Sequence, residues 1–82
     1  MTDSDTFHAV LRSQLMLPPD VDLTTIAYGR TETWDSVAHM QLVLALEEAF
    51  GIALDADDVV AMSSYAAAAR ILRDHHGVAL DG

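Results

Sequence analysis

The sequence predicts an all-α fold, a small four-helix bundle with a long loop between the first and second helices. Apolar residues recur at spacings of three and four in the long periodic stretches, the signature of helices with one buried face. Those stretches are separated by strong stop signals, Pro18-Pro19, Gly51, Ser63-Ser64 and Gly77. No segment alternates convincingly enough to be a strand, and there is no repeat or low-complexity tract. With 82 residues the chain has room for one modest core over its whole length.

The first helix is expected over about residues 5 to 17, where Phe7, Val10, Leu11 and Leu15 share a face. Asp3, Ser4 or Asp5 can cap it, and Pro18-Pro19 stops it. From Asp20 to Thr33 the pattern is aperiodic. Val21, Leu23, Ile26, Tyr28 and Trp34 would tack this segment onto the core, which argues for an ordered loop over a flexible linker. The second helix should run from Asp35 or Ser36 to Phe50, closed by Gly51 in the left-handed C′ position with Ile52 after it. A short third helix begins after Asp55, with Asp57 and Asp58 at the positive end of its dipole. The fourth runs from Tyr65 to His76, with Gly77 as its stop and His75-His76 complementing its C-terminal dipole. As adjacent helical residues, these two histidines should point in different directions and make a poor metal site. Core candidates are Phe7, Leu11, Leu15, Leu42, Val43, Leu46, Phe50, Leu54, Val59, Met62, Ala68, Ile71 and Leu72. The alanines Ala66 to Ala69 permit either internal space or simple close packing.

Thirteen acidic residues against four basic ones give a net charge of −9, which disfavours nucleic acid and anionic membranes and favours basic protein partners. No apolar run reaches the roughly 18 residues of a membrane span, and the Met1-Thr2-Asp3-Ser4-Asp5 start does not read as a secretion signal. A soluble, cytoplasmic monomer is the expectation. Cysteine is absent, so the chain has neither disulfides nor a thiol of its own.

Chemistry concentrates at WDSVAHM, residues 34–40. Either Asp35 or Ser36 can cap the second helix. Leu42, Val43, Leu46 and Phe50 form its core stripe, while Val37, Met40 and Leu44 form a second stripe that runs into Glu47 and Glu48. Such an apolar strip rimmed by acid suits transient docking, although Met40 and Leu44 could instead pack under the loop. His39, three residues after Ser36, raises the thought of a Ser-His hydrolase, but no orienting acid or oxyanion site accompanies it. Asp55-Ala56-Asp57-Asp58 lacks the ligand spacing of a calcium loop and reads as a capped helix start with a possible docking rim. No metal site is expected.

Taken together, Asp35-Ser36-Val37, the Leu-Glu-Glu-x-Phe-Gly-Ile ending at Ile52, the short acidic third helix and the Ala-rich fourth resemble the acyl carrier protein family over essentially the whole chain. That resemblance implies a non-catalytic carrier of acyl-carrier fold. Ser36 would bear 4′-phosphopantetheine, installed from coenzyme A by a phosphopantetheinyl transferase that uses Mg²⁺, with Asp35 serving transferase recognition or metal binding during modification. Val37, Met40, Gln41, Leu44, Glu47, Glu48, Asp57 and Asp58 would face loading and processing enzymes such as acyltransferases or ketosynthases. Val37 stands where leucine is usual, and Ala38 and Gln41 where many fatty-acid carriers are acidic. The Trp34-Asp35-Ser36 start is more similar to discrete carriers of bacterial polyketide and related secondary-metabolite pathways than to a general fatty-acid synthesis carrier. The alternative from another class is an unmodified acidic helical adaptor for a basic protein.

Overall fold

The computed structural model describes residues 2–80 and is predominantly helical. Its helices are α1 (Asp3–Gln14), α2 (Ser36–Phe50), α3 (Ala56–Ala61) and α4 (Tyr65–His76), with one 3₁₀ turn (Leu23–Thr25) in the long connection between α1 and α2. Among the described residues the only extended pairing is an isolated bridge between Ala27 and Ser64, and no helix is long and apolar enough to cross a membrane.

Each helix start is a local solution to the four backbone N–H groups that lack partners there. Asp35, Asp55 and Ser64 cap α2, α3 and α4 by accepting from the N–H groups of Ala38, Asp58 and Ala67. For α1 the cap is Thr2 rather than Asp3, Ser4 or Asp5. The Thr2 hydroxyl accepts from Asp5 N–H at 3.1 Å while the Asp5 carboxylate accepts from Thr2 N–H at 3.2 Å. This reciprocal box satisfies two donors where a lone cap satisfies one.

The far end of α1 also departs from expectation, stopping before the prolines. Met16 turns left-handed at φ 52°, and Leu17 N–H bonds back to Arg12 O at 3.0 Å, a Schellman-type closure without glycine. Gly51 and Gly77 end α2 and α4 in the same left-handed region.

The core gathers Phe7 and Leu11 of α1 with Leu15 just after it, Leu42 and Leu46 of α2, and Ala68, Ala69, Ile71 and Leu72 of α4, with Met62 between α3 and α4. The most extensive helix contact is between α1 and α2. Val43 is also buried, whereas Phe50, Leu54 and Val59 are only half-buried. Trp34 is wholly enclosed, and Leu23, Ile26 and Val78 complete the core from outside the helices. The aperiodic loop is thus ordered. It is stitched to the α3–α4 junction by Tyr28 N–H to Ser63 O (2.8 Å) and Tyr65 N–H to Ile26 O (3.2 Å). Beyond α4, Ala79 N–H reaches the Asp3 carboxylate at 3.1 Å. Ala68 and Ala69 are buried in the core, which is the close-packing use of small residues; the hollow beside Ala66 and Ala69 opens to the surface.

Candidate functional site at the start of the second helix

The start of α2 is held from behind by the buried Trp34 and from the side by Asp35, whose carboxylate accepts Ala38 N–H at 2.9 Å. Capping therefore falls to Asp35. Ser36, the first helical residue, is exposed, and its hydroxyl has no hydrogen-bond partner among the described residues. It sits beside the free N–H groups and positive dipole end of a 15-residue helix.

Ser36 also borders a largely apolar groove of about 320 Å³, shared with Tyr28, His39, Met40, Val59, Val60 and Ser63. This is at the small end of ligand-sized pockets. His39 faces the groove but is not poised as a base for Ser36. Its Nδ1 is 3.0 Å from the Trp34 indole N–H and its Nε2 is 2.8 Å from the Val59 carbonyl, so both ring nitrogens are committed elsewhere.

The second stripe of α2 does not pack under the loop: Val37, Met40 and Leu44 are 66%, 51% and 61% exposed. Met40 lines the Ser36 groove, while Val37 and Gln41 border a neighbouring hollow with Gln14, Met16 and Thr33. Gln41, Glu48 and Asp57 are exposed. Glu47 is half-buried, and its carboxylate accepts Leu54 N–H at 2.8 Å, so it braces the turn after α2.

Asp58 corrects the sequence expectation: it is 5% exposed and unavailable as part of an acidic rim. Its Oδ1 meets His75 Nδ1 and its Oδ2 meets His76 Nε2, each at 2.8 Å. The two histidines therefore converge on one carboxylate although they are neighbours in sequence. They are in the last turn of α4, and the shorter reach through Nδ1 of one and the longer reach through Nε2 of the other brings both to the same point. The hydrogen bond from His75, then that from His76, holds the Asp58 carboxyl below the usual carboxylate range against an opposing effect of burial.

Tyr28, expected to tack the loop onto the core, is instead 44% exposed, and two further residues of the exposed apolar surface are absent from the sequence expectation. Val60 of α3 and Met16 after α1 are 80% and 76% exposed. A signal for Val60 existed, because the adjacent Val59-Val60 pair on a short helix cannot turn both side chains the same way. Met16 had none, since its position follows from a left-handed turn that no local motif announces.

Comparison with protein-family models, with curated proteins and with solved structures yields no match.

Proposed function

We propose that this chain is an acyl carrier of acyl-carrier fold, with Ser36 as the attachment point for 4′-phosphopantetheine. The observation that carries the reading is the Ser36 hydroxyl, which is exposed and has no hydrogen-bond partner among the described residues, at a helix start whose capping is done by Asp35. A serine spent on capping would be a poor acceptor; this one is accessible to a modifying enzyme. The resemblance of the Asp35-Ser36-Val37 start and the Leu-Glu-Glu-x-Phe-Gly-Ile helix end to carriers supports the same assignment.

The residues present fit such a group. The N-terminal N–H groups of α2 favour a phosphate oxygen beside Ser36, and the groove beyond Met40, Val59 and Val60 gives apolar surface for what lies past the phosphate. The arm, when attached, supplies the thiol that a cysteine-free chain lacks, and with it a thioester link to acyl groups. The chain's own part is presentation. Val37, Met40 and Leu44 along α2 and Val60 across the groove expose apolar surface, and a net charge of −9 draws basic partner enzymes to it. Ala38 and Gln41 make the front of α2 less acidic than in general fatty-acid carriers, which favours a role in polyketide or related secondary metabolism.

Incubation with coenzyme A, Mg²⁺ and a broad-specificity phosphopantetheinyl transferase, followed by intact-mass measurement, tests the reading. The expected result is a gain of about 340 Da that is abolished by Ser36→Ala. No gain leaves the unmodified acidic adaptor as the better account, and a gain that persists in Ser36→Ala moves the attachment elsewhere.

A further inference from the structure

The loop, α2 and α3 meet at one imidazole. The Trp34 indole nitrogen can only donate, so the His39 Nδ1 facing it at 3.0 Å is the acceptor and carries no proton. The remaining ring proton is then on Nε2, which donates to Val59 O at 2.8 Å. The Trp34 ring lies beside it, 6.0 Å between centroids and 26° from parallel, and the Tyr28 ring stands edge-on at 5.4 Å. From the loop the ring faces Trp34 and the phenol Tyr28, from α3 a neutral carbonyl, and along α2 it follows Asp35 by one turn; no carboxylate pairs with its ring nitrogens among the described residues.

The Val59 carbonyl is one of the last four of a six-residue helix, and such carbonyls have no partner within the helix. The Asp58 carbonyl is met by Met62 N–H and the Ala61 carbonyl by Ser63 N–H, but the Val59 carbonyl is met by a side chain from α2. His39 is thus a C-terminal cap supplied by another helix. A helix this short does not persist on its own, so its attachments decide its position. One is Asp58 to His75 and His76, on the α4 side; the other is His39, on the side of the groove that Ser36, Val59, Val60 and Ser63 line.

We propose that His39 is a positioning residue that fixes the groove wall beside Ser36, by tying the α3 C-terminus to the loop residue Trp34 through a neutral Nε2–H imidazole. Its effect on modification rests on the reading of Ser36 as the attachment site; the strut itself does not. A partner that docks on Ser36 together with this wall finds it already ordered. Without His39 the partner must order α3 during binding, which weakens association and leaves the chemical step alone.

The test uses the full chain with His39→Leu and His39→Gln, the second because its amide offers both a donor and an acceptor. Ring ¹⁵N shifts in the wild type should show the neutral Nε2–H tautomer. Hydrogen exchange at Met62 and Ser63 should be about tenfold or more faster in His39→Leu, and close to wild type in His39→Gln. KM for the chain in transferase modification should rise about fivefold in His39→Leu with kcat within about twofold, and His39→Gln should restore it. If His39→Leu does not fold, Trp34→Phe carries the test: it deletes the indole donor together with part of a buried ring, a packing loss that urea unfolding reads separately, and it should abolish the fixed tautomer and raise KM in the same direction. An Nδ1–H ring in the wild type, unchanged exchange and KM in His39→Leu, or failure of glutamine to rescue would overturn the proposal. If the wild type accepts no arm, the Ser36 reading fails, while the ring shifts and exchange rates still decide whether the strut exists.

Discussion

Asp58 has two carboxylate oxygens, and a different histidine takes each of them. Because these bonds lower its pKa in the folded chain relative to an ordinary carboxyl near 3.8, they favour the fold when the carboxylate is ionised. The stabilisation is fully present above that ordinary value and is lost as pH falls through it towards the lower folded value. Acid titration of helicity should therefore show an unfolding limb beginning below about 3.8 that is shallower in Asp58→Asn, which is also less stable at neutral pH. Asp35 and Ser36 separate in the same way: Asp35→Ala should cost about 1 kcal/mol in urea unfolding. Ser36→Ala should change stability by less than about 0.5 kcal/mol, since its hydroxyl has no partner to lose among the described residues. None of the Asp58 arrangement is legible locally, because its partners are 17 and 18 residues further along the chain. The Asp35–Ser36 alternative was visible in sequence, but choosing between them required the backbone.

Among the elements, helix ends governed by one residue and its near neighbours were readable: Gly51 and Gly77 after α2 and α4, and Asp55 before α3. The Gly51 Cβ position is open space, so Gly51→Ala should destabilise by about 1–2 kcal/mol from backbone strain alone, measurable as a lower urea midpoint. The two ends of α1 were harder for related reasons. Thr2 competes with three other polar residues for the cap and wins through its reciprocal bond with Asp5. Met16 takes a left-handed angle that composition does not favour, so Pro18-Pro19 was the stronger signal in sequence although the helix had already ended. The short α3 needs attachments from α2 and α4 that no helical pattern specifies.

Across the molecule, periodicity identified most of the residues that helices bury, missing Ala69 and overrating Phe50 and Val59, and Leu42→Ala in that core should cost about 2–5 kcal/mol in urea unfolding. Leu44→Arg, on the exposed side of the same helix, should stay within about 0.5 kcal/mol of wild type in the same measurement. Periodicity could not rank the aperiodic connection, where Trp34 is wholly buried while Tyr28 is partly open to the groove. The candidate site inherits that gap: Ser36 and the α2 stripe could be picked out in advance, but the groove joins residues from the loop, α2, α3 and the α3–α4 junction. The bond from Ala79 to Asp3 places both ends of the described fold at one point on its surface. A longer polypeptide entering through one of these residues and leaving through the other would do so side by side, so this unit could be spliced into a surface loop of a host protein without prying that loop apart.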